Sequence, residues 1–396
     1  MYQDALRVGA NLLDWTPPAL FRGENCVTKL PGILKRDGLK KPLIVTGPNI
    51  YKRGLTDTLT GSLDENGIEY KVFSDVKADP DIKAVEEARR AYISGGCDCI
   101  IAFGGGSPMD CAKVAGARVA NPSVPVRKMR GQFKIFHKLP PIFAVPTTAG
   151  TGSETTVAAV VTDPNTHEKF ALTDMKLRPK YAFLDPLLTV GLPPAVTAAT
   201  GMDALTHAVE AYIGRSNTEH TFKCAEQAVA LIFANLKTAY DNGKDIKARD
   251  NMLYASFLAG EAFTRAYVGY VHAFAHAVGG IYGTPHGLAN AVILPHILDW
   301  YGPYVYERLA KLAKAAGLDI KGKSSAEAAK LFISEIRSLN ATMDIPEHLD
   351  FIEKKDTALI MTRSMNEANP FYPVPRLMDY TQCQKFIERI KGSDEA

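Results

Sequence analysis

Apolar residues in the first half of the chain come in short unbroken runs, at 42–46, 99–103, 141–145 and 181–184. Runs of four or five residues without alternation read as strands buried on both faces. A further short strand is expected at 70–73. Between these runs, 81–95 and 108–120 carry apolar positions at helical spacing. Asp81 is placed to cap the first, and Pro108 falls where a first turn tolerates proline. Strand and helix in regular alternation predict parallel βαβ units. Segments 155–162 and 169–173 flank Asp163-Pro-Asn-Thr166, a strong turn signal, so a hairpin is expected there.

Past Gly191-Leu-Pro-Pro194 the texture changes. Strand signals nearly vanish, and 218–240 shows apolar residues at helical intervals. Ser324-Ser-Ala-Glu327 reads as a capping box before 328–339, and Thr381-Gln-Cys-Gln384 as another before 386–390. The expected fold class is an α/β N-terminal domain over residues 1–192, with a Rossmann-like parallel sheet, followed by an all-α domain over residues 193–396.

The run 266–298 holds 33 residues without Asp, Glu, Lys or Arg. Its length alone suggests a membrane span. Yet it contains His272, His276, His286 and His296, together with Gly279-Gly280, Gly283, Pro285, Gly287 and Pro295. A lipid-facing helix would not carry that load of imidazoles and breakers. The run reads as a dry, buried helical region, and no membrane association is expected.

Composition narrows the class. Of 396 residues, 46% are apolar and 22% charged, the balance of a globular chain rather than a disordered one. Lys and Arg number 46 against 43 Asp and Glu, a net charge of +3. That leaves no concentrated basic surface for nucleic acid. The six cysteines form no CxxC pair. With no apolar leader in the first fifteen residues, they point to a reduced, cytoplasmic chain. Cys97 and Cys99 are the one close pair, and a strand through them would put both thiols on one face. Buried free thiols are the expectation for all six.

Two loops carry candidate nucleotide chemistry. Phe103-Gly-Gly-Gly-Ser-Pro-Met-Asp110 is a strand, a glycine turn and a helix start. Free N–H groups at such a turn suit a pyrophosphate. The spacing is neither GxGxxG nor a P-loop. Pro146-Thr-Thr-Ala-Gly-Thr-Gly-Ser-Glu154 follows another strand and offers hydroxyls and glycines as an opposite wall. Ligands bind at the carboxyl ends of parallel strands in this architecture.

Candidate metal chemistry lies in the second half. Asp203 and His207 are i and i+4 on a helical segment, as are His272 and His276, and His286 follows a breaker turn. One carboxylate with two or three imidazoles suits Zn²⁺ or Fe²⁺. Spacing alone does not say which of them bind. Glu210 either extends the Asp203–His207 face or stands on the helix surface. His137, His167, His220 and His348 lie among polar neighbours and read as solvated.

Taken together, Gly104-Gly-Gly-Ser-Pro-Met-Asp110, Pro146-Thr-Thr-Ala-Gly-Thr-Gly-Ser-Glu154, Gly201-Met-Asp-Ala-Leu-Thr-His-Ala-Val-Glu210, His272-(x3)-His276-(x9)-His286-Gly and Asn369-Pro-Phe-Tyr-Pro-Val-Pro375 resemble the iron-containing (group III) alcohol dehydrogenases. The resemblance implies a dehydroquinate synthase-like architecture. It implies a metal held by Asp203, His207, His272 and His286. His276 would then lie between metal and nicotinamide as a proton relay. Gly105, Gly106 and Ser107 would hold the cofactor pyrophosphate, with Asp110 in the same site. Thr147, Thr148 and Lys169 would contact its sugars and nicotinamide side. Phe263 would line the substrate pocket, with Ala158 and Met365 helping to shape it for a small uncharged molecule. The implied reaction is hydride transfer between NAD(P) and a small alcohol or aldehyde, with Fe²⁺ (or Zn²⁺) as Lewis acid, in a homodimer.

Gly47 departs from the pattern. Many NAD-dependent members have aspartate after the strand ending at Thr46, where it would bind the ribose 2′-hydroxyl and repel a 2′-phosphate. Glycine removes the repulsion, which leans the expectation towards NADP or dual use. Lys52 and Arg53 either reach that phosphate or are surface residues. Two other classes compete: a metal- and NAD-dependent lyase of the dehydroquinate synthase type, and a nucleotide- or metal-binding protein without turnover. The charge-free 266–298 run disfavours the lyase, whose phosphorylated polar substrate needs basic groups near the metal.

Overall fold

A computed structural model of the chain describes residues 13–166 and 168–393. Residues 1–12, where no apolar leader is expected, and His167 lie outside the described residues. The fold divides into two compact units, one spanning Asp14–Gly191 and the other continuing from Leu192.

In the first unit the buried apolar runs are the strands of one parallel sheet. These are β1 (Ala19–Arg22), β2 (Pro42–Val45), β3 (Lys71–Phe73), β4 (Cys99–Gly104), β6 (Ile142–Pro146) and β9 (Tyr181–Leu184), in the order β1-β9-β6-β4-β2-β3. Every pairing in it is parallel. Both faces are covered. Leu43, Val45, Ile100, Ala102 and Ala144 pack on one side, and Ile44, Ile101, Phe103, Phe143 and Val145 on the other. This is why these strands lack a polar alternation. Strand β1 was not among the expected elements; its residues are exposed or half-buried at the sheet edge.

The crossovers include α1 (Leu30–Arg36), α2 (Pro48–Lys52), α3 (Asp57–Glu65), α4 (Ile82–Ser94) and α5 (Gly106–Ala120). Asp81 caps α4 as expected, its carboxylate accepting the Ala84 N–H at 2.8 Å. A small second sheet has the order β5-β8-β7, with β5 (Gly131–Gln132), β7 (Ala158–Thr162) and β8 (Lys169–Thr173). Strands β7 and β8 pair antiparallel around the Asp163-Pro-Asn-Thr166 turn, the anticipated hairpin.

Cys97 and Cys99 do not share a face. Cys97 precedes β4 and packs with Leu43 and Ile100, whereas Cys99 opens the strand and packs with Ile44 and Ile101 on the other side. All six cysteines are free and buried.

The second unit is helical: α6 (Pro194–Ile213), α7 (Glu219–Asp241), α8 (Ile246–Ala266), α9 (Tyr270–Tyr282), α10 (His286–Tyr301), α11 (Tyr306–Ala315), α12 (Ser325–Ala341), α13 (Thr357–Ala368) and α14 (Tyr380–Lys391). The capping box at Ser324 and Glu327 forms. The one expected at Thr381 does not. Asp379 caps α14 instead, two residues earlier, with Gln382 closing the box. The charge-free run becomes α9 and α10, broken at Gly283, whose φ of 68° ends α9 in the left-handed region. Among the described residues no helix is long and apolar enough to cross a membrane.

Candidate metal and nucleotide sites

The metal candidates converge inside the helical unit. Asp203, His207 and Glu210 form one stripe on α6, and all three are buried. Helix α9 presents His272 against them, and the turn at Gly283–Pro285 brings His286 back at the start of α10. Ligand atoms of Asp203, His207 and His272 lie within 4.8 Å of one another. His286 Nε2 lies 3.4 Å from Asp203 Oδ1. Close packing permits this. A Cβ on Gly287 would stand 2.2 Å from the Ala199 carbonyl oxygen, so α10 approaches α6 as only glycine allows.

The donor set fits a divalent cation. Asn290 Nδ2 donates to Asp203 Oδ1 at 2.7 Å and also faces His286 Nε2 at 3.1 Å and His272 Nε2 at 3.3 Å. An amide nitrogen has two hydrogens, and here three acceptors aim at it. A cation satisfies such a convergence better than an amide does. Burial, with His207 and His286 close by, holds the His272 imidazole well below its usual range, so it is neutral and has a lone pair to give.

Glu210 resolves in favour of the site rather than the surface. Its carboxylate accepts the Gly269 N–H at 2.9 Å, the Val271 N–H at 2.7 Å and His272 Nδ1–H at 2.6 Å. That fixes the tautomer and turns His272 Nε2 towards Asp203, the outer support that metal-binding imidazoles require. Burial pushes the Glu210 carboxyl up to about 7, against the pull of the backbone N–H groups of Gly269, Val271 and His272.

His276 lies beside this centre, its ring 5.0 Å from that of His286 and 6.0 Å from that of His272. Its Nδ1 donates to Glu367 Oε1 at 2.6 Å, and Tyr372 O–H donates to the same oxygen at 2.6 Å. Burial raises the Glu367 carboxyl, but His276 and Tyr372 outweigh it and hold it below its ordinary value. Phe263 stacks on His207 with ring centres 4.1 Å apart. Met365 is buried on α13, and its sulfur accepts the Asn369 amide at 3.8 Å.

The nucleotide candidates gather in the α/β unit. Gly105 caps α5, and Gly106 and Ser107 form its first turn. The two loops pack face to face. A Cβ on Gly105 would stand 3.1 Å from Thr148 Oγ1, one on Gly106 would stand 3.1 Å from Thr151 Cγ2, and Thr147 N–H donates to the Gly104 carbonyl at 3.1 Å. The helix start is therefore bare backbone, the form that suits a phosphate. Lys169 is tied to the same region. Its ammonium pairs with Asp79 at 2.8 Å, and the Asp79 N–H donates to Ser107 Oγ at 3.2 Å. Gly47 caps α2, and Ile50 on that helix packs near both Gly47 and Gly104. Lys52 and Arg53 are exposed.

Asp110 sits differently. It is half-buried, accepting Ser153 O–H at 3.2 Å and Val160 N–H at 3.1 Å, so its carboxylate organises the opposite wall. Beside it stands Lys113, which sequence reasoning passed over. Its fully buried ammonium donates to Ser153 O at 2.7 Å and Oγ at 3.1 Å, to Thr156 O at 3.1 Å and Oγ1 at 2.7 Å, and to Ala158 O at 3.0 Å. Burial pushes Lys113 down to about 8, Asp110 up to about 6 and Glu154 up to about 7. Ala158 thus enters as a backbone acceptor at the head of β7.

Asn290, Glu367 and Tyr372 were also passed over. Asn290 stands one helical turn after His286, and Glu367 precedes the Asn369–Pro375 motif by two residues, so both signals were available. Of the histidines read as solvated, His137 and His220 are exposed, His220 while paired with Glu261 at 3.0 Å, whereas His348 is half-buried with its ring tilted against that of His296, centres 5.4 Å apart.

Known proteins match along both units. A family model for iron-containing alcohol dehydrogenase matches residues 17–186, and one for the C-terminal part of the Fe-containing alcohol dehydrogenase family matches 197–390. The chain belongs to the iron-containing alcohol dehydrogenase family. Among its relatives, 1,3-propanediol dehydrogenase of Citrobacter freundii is 40% identical over 90% of this chain and 92% of its own. NAD-dependent methanol dehydrogenase of Bacillus methanolicus is 38% identical over 83% and 86%. A crystal structure of a 1,3-propanediol oxidoreductase superposes with a TM-score of 0.92 at 37% identity, covering 96% of this chain and all of that one. Relatives in the family act as alcohol dehydrogenases and aldehyde reductases.

Proposed function

We propose that this protein interconverts a small primary alcohol and its aldehyde, using a nicotinamide cofactor and a divalent metal, Fe²⁺ or Zn²⁺, held by Asp203, His207, His272 and His286. Asp203, His272 and His286 converge on the Asn290 amide, and His207 closes on Asp203 and His272; that arrangement carries the reading. In such a site the metal supplies Lewis acidity towards the substrate oxygen and the nicotinamide supplies the redox equivalent.

The chain's own residues do the rest. Glu210 orients His272 and keeps its Nε2 lone pair directed inward. Phe263 covers His207 and excludes water from that side. His276, half-exposed and held by Glu367, stores and exchanges a proton at its ring beside the centre. In the α/β unit, Gly105, Gly106 and Ser107 bind the pyrophosphate through backbone N–H groups, and Thr147, Thr148 and Lys169 take the remaining contacts. Gly47 leaves no carboxylate to repel a 2′-phosphate, which supports NADP or dual use. Buried free cysteines suit a reducing cytoplasm; a homodimer rests on the family resemblance alone.

The test uses anaerobically purified protein loaded with Fe²⁺ or Zn²⁺, a panel of short aldehydes, and NADH and NADPH side by side. Oxidation of either cofactor is expected, and the faster one reports what Gly47 does. His272→Ala is expected to lose the metal of the Asp203 centre and turnover together while keeping the fold. Silence with both cofactors across the panel, despite confirmed metal and cofactor binding, would overturn the reading.

A further inference from the structure

Away from the Asp203 centre, three ligand-type side chains meet on the α7–α8 pair. His220 and Cys224 stand one turn apart on α7, and Glu261 reaches them from α8. His220 Nε2 lies 3.0 Å from Glu261 Oε2, and Cys224 Sγ lies 3.5 Å from His220 Nε2 and 3.6 Å from Glu261 Oε2. The three atoms therefore form a closed triangle. A tetrahedral zinc with bonds of about 2.3 Å to sulfur and about 2.0 Å to nitrogen and oxygen has edges of about 3.5 Å to sulfur and about 3.3 Å between nitrogen and oxygen. The observed triangle has those proportions without rearrangement.

We propose that His220 Nε2, Cys224 Sγ and Glu261 Oε2 form a second divalent-metal site, selective for Zn²⁺ and distinct from the Asp203 centre. Thiolate and imidazole together favour zinc over the hard cations Mg²⁺ and Ca²⁺, which prefer oxygen. The site is reachable: the His220 side chain is 59% exposed and that of Glu261 10%, with the thiol buried beneath them. Three protein ligands leave a fourth position for water. Zinc takes the thiolate form of cysteine, so the Cys224 thiol must give up its proton on binding. On binding, the S–H bond breaks, an S–Zn bond forms and one proton passes to the buffer, with no change of oxidation state. Uptake therefore strengthens as pH rises. Fully loaded protein holds two metal ions per chain, and only one belongs to the Asp203 centre.

The two sites differ in one decisive respect, because the Asp203 set contains no sulfur. The experiment titrates Co²⁺ into chelator-stripped full-length protein under anaerobic conditions and follows the thiolate-to-cobalt charge-transfer band in the near ultraviolet. The band is expected to saturate at one equivalent per chain, to bleach on adding Zn²⁺ and to persist in His272→Ala. It is expected to vanish in Cys224→Ser, which still binds one metal ion. His220→Ala, at an exposed position that does not endanger folding, is expected to weaken the thiolate-linked binding roughly tenfold or more. Absence of the band at excess Co²⁺, or its survival in Cys224→Ser, would overturn the proposal.

Discussion

Gly287 is where a single methyl group threatens the Asp203 centre most. It follows His286 in the first turn of α10, and a Cβ there would stand 2.2 Å from the Ala199 carbonyl oxygen and 2.7 Å from its carbon. Both are backbone atoms of α6, one turn before Asp203, so no side-chain rotation relieves the overlap. Restoring an ordinary contact of 3.4 Å requires about 1.2 Å of separation between the helices. Overpacking of this kind destabilises by about 1–3 kcal/mol, which lowers the melting temperature of a unit of roughly 200 residues by about 2–12 °C. Metal–ligand distances tolerate only about 0.2 Å, so the shift also takes His286 out of the set. Gly287→Ala is therefore expected to weaken metal binding at least as much as losing an outer partner, about 10–100-fold. Gly201→Ala is the control. Its Cβ would stand 2.2 Å from Leu236 Cδ1, the end of a side chain that can turn away, so metal binding should be retained. The assay is metal affinity by chelator competition, with thermal melting on the same samples. Wild-type affinity in Gly287→Ala would refute the packing argument.

Three further outcomes follow from the geometry. Glu210→Gln leaves one oxygen for three N–H donors, and metal affinity is expected to fall about 10–100-fold with the fold retained; an unchanged competition constant would remove Glu210 from the orientation of His272. Lys113→Met strands five oxygen acceptors and removes the charge facing Asp110 and Glu154, a loss of about 3–5 kcal/mol; melting of the α/β unit at the wild-type temperature would contradict this. The hydrogen bond from Lys180, with those from Tyr181 and Arg36, holds Asp37 at about 2 against an ordinary 3.8. The folded carboxyl is the stronger acid, so its contribution is complete above the ordinary value and is lost as pH falls through about 2. The stability gap between wild type and Asp37→Asn should accordingly close between pH 4 and about pH 2; a gap that persists at the acid end would sink the assignment.

The alternation of buried runs and helices was readable because strands packed on both faces carry no polar residues, as Ile100, Ile101 and Ala102 show. The change of texture in the second half was readable because strand signals stop, and the last strand, β9, ends at Leu184. Edge strand β1 was not: its apolar run is only Ala19-Leu20-Phe21, ended by Arg22 and shorter than the runs of the central strands. Histidine spacing marked Asp203, His207 and His272 as candidates, but spacing cannot show that Glu210 reaches back to His272 across α6 and α9. Lys113 was invisible for a related reason. A lysine at helical spacing normally points to water, and only the folded 153–158 segment supplies the acceptors that bury it. Cys97 misled because the strand starts two residues after it.

Lys113 also has a mechanical consequence. Through one ammonium, α5, the segment at 153–156 and the head of β7 are fastened at a common point. They respond to load as one rigid plate rather than as three flexible parts. A residue inserted or deleted between 153 and 158 would put the acceptors out of register at once, whereas a change of length in the turn after Asp163, which Arg127 holds separately, leaves them in register. Attempts to alter the proposed cofactor wall by grafting or loop remodelling should therefore exchange 104–158 as a block and leave variation in length to the hairpin tip.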